Sequence, residues 1–233
     1  MDKFREQFQV PREGLSARHL FWILQESAGH HSTLLGFGEE KMKSLGLMWV
    51  VIRYRVEVAR YPAAGESITV ETWPGPVRHG FCPRAYNLLD GSGALLLRAC
   101  ATWAVVDRES RKMVSPQERG VNLEPLVTGE EIPQGGAIRK PVTDRERRFV
   151  VPAEYLDSNG HMNNTTYFDL AEESIERRAA LSGLKQVSVE YVNEALQGEE
   201  MSVRWGYDGE SYTVTGDAES GPVFRMKLKY AEA

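Results

Sequence analysis

The segment Phe21–Ser27, FWILQES, has a counterpart in Phe168–Ser174, FDLAEES, and strand-like sequence follows each of the two segments. Around the first segment, apolar residues recur three and four positions apart over 16–35, which predicts an amphipathic helix with Ser16 as its N-cap. Around the second, a helix is predicted over about 164–179. The sequence therefore predicts one long helix followed by a group of strands, and this arrangement occurs twice.

The strands are predicted from β-branched and aromatic residues between turn signals. In the first half, an antiparallel meander is predicted over 48–58, 67–73, 81–89 and 94–106. In the second half, a strand-like entry at Phe149 and strands are predicted over 187–193, 201–207, 212–217 and 223–230. Prolines and glycines interrupt the pattern between about Ser115 and Pro141. The predicted organisation is an N-terminal unit over 1–130, a linker over 131–147 and a C-terminal unit over 148–233.

A shift of 133 residues superposes Gly65-Glu66 on Gly198-Glu199 and Val56-Glu57 on Val189-Glu190. Chance explains any single match, but several matches in one order favour two copies of one unit. A helix packed on an antiparallel sheet is an α+β arrangement, and the hot-dog fold is such a unit. We therefore predict a tandem (double) hot-dog. Single-copy hot-dog units dimerise, and the fused pair supplies that contact within one chain, so the sequence leaves a further homodimer open.

Composition excludes several classes of protein. The chain has 28 Lys and Arg against 33 Asp and Glu, a net charge of −5, which argues against a general nucleic-acid or membrane-surface binder. The longest apolar run, 45–52, is far shorter than the roughly 18 residues that span a bilayer. The first residues resemble neither a secretory signal nor a transit peptide, so a cytoplasmic protein is expected. Cys82 and Cys100 suggest no zinc site or disulfide, and no metal or cofactor is predicted.

The richest polar cluster is 157–164, DSNGHMNN, between a predicted strand and a predicted helix. In an extended segment Asp157, Asn159 and His161 project to one side. Asn163 or Asn164 is placed to cap the helix, whose first amides attract negative charge. The alternative is an ordinary Asn-Gly turn with a capped helix and a hydrogen-bonded histidine. Because the equivalent segment of the first half, 10–15, has no such set, we favour function.

A second acidic candidate lies on the strand after this helix. Glu190 has an acidic counterpart in Glu57 and is interpreted as a solvated strand position, whereas Glu194 corresponds to Tyr61. Glu194 is therefore the better functional candidate. A carboxylate beside an imidazole activates water, and amide groups stabilise a tetrahedral intermediate, which suits acyl-transfer hydrolysis. No serine or cysteine nucleophile has sequence support.

These residues resemble the acyl-acyl-carrier-protein thioesterases of plant plastids and bacteria. In the first half the resemblance rests on 24–31 with Leu35-Gly36, Trp49-Val50-Val51, Arg60-Tyr61-Pro62, Thr72-Trp73 and Trp103; in the second, on 157–164 with Tyr167 and on 190–195. The family's motif is Asp-Xaa-Asn-Xaa-His-Val-Asn-Asn, shared with hot-dog acyl-CoA thioesterases. Plant members carry a cysteine after the glutamate, where this chain has Ala195. A cysteine mechanism is therefore excluded there, and either water or Asp157 attacks the thioester.

The resemblance implies hydrolysis of acyl-acyl-carrier-protein (acyl-ACP) thioesters to free fatty acids, which ends chain elongation. It implies that Asp157 supports the site, Asn159 binds the thioester carbonyl, and His161 with Glu194 activates water. It also implies an acyl-chain pocket in the first unit, with Met48, Trp49, Tyr54 and Trp73 as candidates for its lining and core packing as the alternative. Two other functions remain open: an acyl-CoA thioesterase and a non-catalytic acyl-binding module.

Because the carrier protein is acidic, a locally basic docking site is expected. The candidates are Arg139, Lys140, Arg145, Arg147, Arg148, Arg177 and Arg178. An ordinary solvated surface explains any one of them. Acyl-chain length and saturation are not encoded in these motifs.

Overall fold

A computed structural model of the protein describes residues 2–130, 134–138, 141–157, 160–175 and 183–231. The chain forms two compact units, one of Met1–Leu15 with Trp22–Gly135 and one of Ser16–Phe21 with Gly136–Ala233. The predicted bounds of 1–130, 131–147 and 148–233 stay a prediction. Strand β7 begins at Arg145, near the end of the predicted linker.

The first half of the chain contains six strands and two helices among its described residues. They are β1 (Phe4–Gln9), α1 (Ala17–Leu34), α2 (Glu39–Ser44), β2 (Leu47–Val58), β3 (Ser67–Pro74), β4 (Phe81–Asp90), β5 (Leu95–Asp107) and β6 (Met113–Val114). The Ser16 hydroxyl accepts the His19 N–H at 3.1 Å, which confirms the predicted cap of α1. Strands β1 and β6 and helix α2 were not predicted.

The sheet of the first unit has the strand order β1-β3-β4-β5-β2, and β6 pairs with β5. The predicted meander is confirmed for β3, β4 and β5, which pair in chain order. Strand β2 does not pair with β3, its neighbour in sequence, but with β5. The prediction that β2 begins the meander is wrong, because the connection over 59–66 contains Pro62 and is too long to impose a tight hairpin. Helix α1 covers one face of this sheet, where buried His31 contacts Arg84 of β4 at 3.0 Å.

The second half contains β7 (Arg145–Val150), α3 (Thr166–Ser174), β8 (Leu184–Tyr191), β9 (Glu200–Tyr207), β10 (Tyr212–Ala218) and β11 (Gly221–Tyr230). Its sheet has the order β7-β9-β10-β11-β8. Helix α3 packs on this sheet through Tyr167, whose ring stacks on Phe224 with centroids 4.7 Å apart. The predicted helix extended to 179, and residues 176–179 lie outside the described part of the chain.

Both units share one topology and one register. In the first, Phe4 of β1 pairs with Thr72 of β3, and in the second, Arg145 of β7 pairs with Trp205 of β9, which is Thr72 shifted by 133 residues. Strands β3 and β9 correspond residue for residue at that shift. The tandem hot-dog predicted from the repeat is thereby confirmed. None of the described helices combines the length and the hydropathy needed to span a bilayer.

Candidate active site

The predicted polar cluster lies in a loop that distinguishes the second unit from the first. In both units the first residue after the edge strand makes the same backbone bonds: Val10 with Gly65 and Glu66, and Val151 with Gly198 and Glu199. The chain then reaches helix α1 after residues 10–16 but reaches α3 only after residues 151–165. The longer connection carries Asp157 and His161, so the candidate site lies where the two repeats differ in loop length.

This loop is closed on itself by hydrogen bonds between its ends. The Asp157 N–H donates to the His161 carbonyl at 2.8 Å, and the Gly160 N–H donates to the Asp157 carbonyl at 3.1 Å. The His161 N–H approaches Asp157 Oδ1 at 3.4 Å. Gly160 has φ of +82°, which a residue with a Cβ rarely adopts. Asn159, predicted to bind the thioester carbonyl, lies outside the described residues, as does Ser158.

The structure brings His161 and Glu194 together. The Met162 N–H donates to the Ala195 carbonyl at 2.9 Å, and His161 forms an antiparallel bridge with Leu196. As a result His161 Nε2 lies 3.2 Å from Glu194 Oε2, with the two side chains 21% and 46% exposed. A carboxylate at Nε2 orients the imidazole, and both groups remain accessible to water.

The start of helix α3 differs from the prediction. Its N-cap residue is Thr165, which makes no side-chain cap bond. Asn163 instead precedes the cap: its Oδ1 accepts the Thr165 N–H at 2.9 Å, and its carbonyl accepts the Thr166 N–H at 2.9 Å. Two amides at the helix start are therefore already engaged, and they do not serve as the oxyanion site expected there.

The other acidic candidate, Glu190, is a structural residue. It is 7% exposed, and its Oε2 accepts the Ile138 N–H at 3.4 Å and lies 3.7 Å from Arg225 Nη1. The interpretation of Glu190 as a solvated strand position is wrong, because residues from the connection and from β11 cover it.

The four candidates for the acyl pocket do not share one surface. Tyr54 is fully buried on the helix-facing side of the sheet, 6.4 Å from the Tyr86 ring. Trp73 pairs with Ala85 on the opposite face, where Lys3 lies 4.2 Å from its ring. Trp49 donates to the Phe37 carbonyl at 2.9 Å and packs against the buried cluster that includes Met42 and Leu47.

Met48 is half-buried, and its sulfur lies 3.6 Å from Arg111 Nη1. The role of Met48, Trp49, Tyr54 and Trp73 in acyl binding stays a prediction.

Of the basic docking candidates, Arg139, Lys140, Arg177 and Arg178 lie outside the described residues. Arg147 is paired with Glu173 at 3.1 Å. Arg148 is paired with Glu146 at 3.2 Å and with Glu200 at 3.4 Å. Arg145 is exposed. In the described part of the chain, no group of three potential ligands is arranged to hold a metal ion.

Two residues near His161 and Glu194 had no predicted role: Tyr167 and Glu199. Tyr167 is 2% exposed, and burial together with the carboxylates of Glu194, Asp157 and Glu199 raises its pKa. Glu199 accepts the Leu196 N–H at 2.9 Å and so closes the turn after Glu194. Tyr167 is the second residue of α3 and lies three residues beyond the motif, whereas Glu199 is distant from the motif in sequence.

Comparisons with known proteins cover nearly the whole chain. The family profile "Acyl-ACP thioesterase N-terminal domain" matches residues 2–119, and "Acyl-ACP thioesterase C-terminal domain" matches residues 139–220. The chain is 26% identical to oleoyl-acyl carrier protein thioesterase 1 of Arabidopsis thaliana over 223 residues, which is 85% of this chain and 60% of the relative. It is 28% identical to the palmitoyl-acyl carrier protein thioesterase of the same plant over 88% of this chain and 54% of the relative.

A dodecanoyl-[acyl-carrier-protein] hydrolase of Cinnamomum camphora is 30% identical over 65% of this chain and 44% of the relative. The chain thus spans about half the length of the curated relatives that it matches.

Solved structures share its fold. An acyl-ACP thioesterase from Bacteroides thetaiotaomicron superposes with a TM-score of 0.83 at 22% identity, covering 98% of this chain and 97% of the other. The 12:0-ACP thioesterase from Umbellularia californica gives a TM-score of 0.80 at 22% identity, covering 98% and 96%.

Proposed function

The chain belongs to the acyl-ACP thioesterase family, and from this premise we propose that it hydrolyses acyl-ACP thioesters to a free fatty acid and holo-ACP. The observation that carries the proposal is the 3.2 Å approach of Glu194 Oε2 to His161 Nε2, in a loop closed by Asp157. A histidine that is oriented by a carboxylate and keeps 21% of its side chain exposed to solvent is suited to act as a general base for water.

The proposed reaction is attack by water. With Glu194 at Nε2, the neutral imidazole carries its proton there and presents a lone pair on Nδ1. As the water oxygen bonds to the thioester carbon, its proton passes to His161. The C–S bond then breaks, and the pantetheine thiolate takes that proton. Asn159 is proposed to hold the carbonyl oxygen, and Asp157 to hold the loop that carries His161.

Asp157 as a nucleophile is the alternative that the residue types leave open. Its carboxylate would form an anhydride with the acyl group and expel the thiolate, and water would then cleave the anhydride. A single turnover in ¹⁸O-labelled water separates the two routes. Water attack labels only the fatty acid, whereas cleavage at the aspartyl carbonyl leaves label in a peptide that contains Asp157.

The test of the proposed function is release of thiol from a panel of acyl-ACP thioesters of increasing chain length. We expect His161→Ala and Glu194→Gln to lower kcat by about 100-fold or more while the variants remain folded. His30→Ala is the control, because His30 is also a solvent-exposed histidine beside a carboxylate, at 2.9 Å from Glu6 Oε1. A parent chain that releases no thiol from any carrier substrate would refute the proposal.

Two other outcomes correspond to the alternatives. Turnover of acyl-CoA without turnover of acyl-ACP would identify an acyl-CoA thioesterase with the same site. Binding of acyl chains without thiol release from either would identify an acyl-binding module. The pairing of His161 with Glu194 favours catalysis, since a binding module has no use for an oriented base.

The substrate's acyl chain is left to experiment. The relatives carry the names of oleoyl, palmitoyl and dodecanoyl thioesters, so membership in the family specifies no length. We propose that the first unit receives the acyl chain, with Tyr54 on its helix-facing side. We also propose docking of ACP at a basic surface that includes Arg145. The cytoplasmic location and the homodimer stay predictions.

A further inference from the structure

The turn that follows Glu194 is closed by the side chain of Glu199. Glu199 Oε2 accepts the Leu196 N–H at 2.9 Å, and the Glu199 N–H donates to the Leu196 carbonyl at 3.3 Å. Gly198, inside this turn, has φ of +81°, which suits a tight reversal of the chain. A hydrogen bond from an amide to a carboxylate is stronger than one between neutral groups, so the carboxylate of Glu199 fixes the position of Leu196.

The two ends of this turn are joined to different parts of the second unit. At its end, the Glu199 carbonyl accepts the N–H of Val151, the residue that follows strand β7, at 2.9 Å. At its start, Leu196 forms the antiparallel bridge with His161. The carboxylate of Glu199 therefore links a residue held at the edge of the sheet to the bridge partner of His161.

The first unit repeats the closed turn. At the 133-residue shift Glu66 corresponds to Glu199 and Ala63 to Leu196, and Glu66 Oε2 accepts the Ala63 N–H at 2.7 Å. The Glu66 carbonyl also accepts the N–H of Val10, the residue after the edge strand, at 2.9 Å. Closure of the turn is thus a property of the repeated fold. Among the residues that the structure describes, only the second unit joins this turn to a histidine.

The position of Glu194 depends on the backbone of this segment. The side chains of Glu194 and the residue Leu196 are both 46% exposed, so packing alone does not fix them. Between them, the Ala195 carbonyl accepts the Met162 N–H at 2.9 Å, which is one attachment to the loop of His161. The bond from Leu196 to Glu199 is a second attachment, and it is the one that a side chain supplies.

Building on the proposed hydrolysis, on which this inference rests, we propose that Glu199 is a positioning residue, which fixes Leu196 and thereby keeps Glu194 in line with His161. The substrate does not contact Glu199 in this proposal. Its effect is on alignment, and a displacement of about 1 Å costs up to about 100-fold in rate. Because the bond needs only an acceptor oxygen, glutamine should replace Glu199 and alanine should not.

The test compares Glu199→Ala with Glu199→Gln. We expect Glu199→Ala to lower kcat for an acyl-ACP substrate about 10-fold with KM within about twofold, because substrate contacts are unchanged. Glu199→Gln should keep kcat within about threefold of the parent, because its amide oxygen still accepts the Leu196 N–H. Glu66→Ala is the matched control, which removes the same bond from the first unit and should change kcat by less than about twofold.

The glutamine variant also separates the hydrogen bond from the charge. A folded Glu199→Gln that loses as much kcat as Glu199→Ala would show that the negative charge matters and the acceptor does not, and would overturn the proposal. This comparison with the parent holds even if Glu199→Ala does not fold. If Glu199 acts through Glu194, adding Glu199→Ala to Glu194→Gln costs almost nothing further in kcat, and additive losses would also overturn the proposal.

Hydrogen exchange tests the positioning without turnover. The Leu196 amide should exchange about 10-fold faster in Glu199→Ala than in the parent and at the parent rate in Glu199→Gln. The amide of Val203, inside strand β9, is the reference, and its unchanged exchange shows that the unit remains folded. Unchanged exchange at Leu196 in Glu199→Ala would refute the positioning, whereas a parent that is inactive on every thioester would refute the proposed function separately.

Discussion

At the scale of single residues, Arg84 places a charge in the interior of the first unit. It is 4% exposed, and its guanidinium contacts His31 Nδ1 at 3.0 Å, Thr72 Oγ1 at 3.3 Å and Ser32 Oγ at 3.2 Å. His31 Nδ1 accepts a hydrogen bond from Arg84 only when the imidazole is neutral, whereas the two hydroxyl oxygens accept in either state. Burial and then the Arg84 charge lower the pKa of His31 to about 4. The pair thus makes the first unit sensitive to acid.

The direction of the pH effect on stability follows from the different pKa of His31 in the unfolded and the folded chain. The unfolded chain takes up a proton on His31 near its ordinary pKa of 6.5, but the folded chain resists it down to about 4. The free energy of unfolding therefore falls as the pH drops through this window, by about 2 kcal/mol at pH about 4.5. His31→Gln keeps an acceptor for Arg84 and cannot titrate. Urea unfolding at several pH values should show a shallower loss for His31→Gln; equal losses would contradict the assignment.

At the scale of elements, two glycines of helix α1 should respond to alanine with opposite signs. Gly29 lies within the helix, and a Cβ there meets nothing within 4 Å. Gly36 follows the helix at φ of +82°, where its N–H donates to the Thr33 carbonyl at 3.0 Å. We expect Gly29→Ala to stabilise by about 0.5–1 kcal/mol and Gly36→Ala to destabilise by about 1 kcal/mol. Denaturant unfolding measures both, and equal signs would refute the argument.

In the second unit, Gly216 of β10 leaves room for the ring that supports Tyr167. A Cβ at this position would lie 2.3 Å from Cε1 of Phe224, which must then move. We expect Gly216→Ala to lower the free energy of unfolding by about 1–3 kcal/mol, measured by urea unfolding, because the Phe224 ring must move to make room. Combining it with Phe224→Leu should restore part of the stability lost by Gly216→Ala. A double variant that loses the sum of both single effects would show that the two residues do not compete for space.

The elements were predictable where local sequence decides them. Alternation and turn residues located the strands from β2 to β5 and from β8 to β11, and the 133-residue shift identified the repeat. Edge strand β1 was missed because its burial alternates only between half-buried and exposed, so its apolar signal is weak. The place of β2 beside β5 was missed because pairing between distant strands depends on the whole sheet.

The candidate site was likewise predictable only where its residues are close together in sequence. Asp157 and His161 share one short motif, so their proximity follows from sequence. The approach of Glu194 depends on the bridge between His161 and Leu196, which is a long-range contact that no local spacing encodes.

At the scale of the whole molecule, the two units share a framework, and only the second carries the candidate catalytic residues Asp157, His161 and Glu194. Strand order, register and the backbone bonds at Val10 and Val151 are retained in both. Among the described residues, the first unit contains helix α2 and strand β6 without counterparts, and the second unit differs further by a longer connection between edge strand and helix. Duplicated folds tolerate such extension, because a loop on a rigid sheet can change length without changing the core.

The net charge of the whole chain bears on how a carrier protein would dock. The chain carries a net charge of −5, so at long range its field opposes an acidic carrier protein. For the docking that we propose, attraction must come from a local basic surface, over less than the roughly 10 Å Debye length at 0.1 M salt. Arg145 is exposed on edge strand β7. The other docking candidates in the described part of the chain, Arg147 and Arg148, form ion pairs with acidic residues.

We expect Arg145→Ala to lower kcat/KM for acyl-ACP about threefold and to leave hydrolysis of a neutral acyl-pantetheine unchanged. Arg108→Ala, which removes an exposed arginine of the first unit, is the control. Raising the salt concentration from about 50 to about 300 mM should reduce the difference between parent and Arg145→Ala on acyl-ACP, because screening removes the attraction that the variant has already lost. Equal losses in Arg145→Ala and Arg108→Ala would mean that the carrier protein senses only total charge. A loss on acyl-pantetheine would instead place Arg145 in the chemistry rather than in docking.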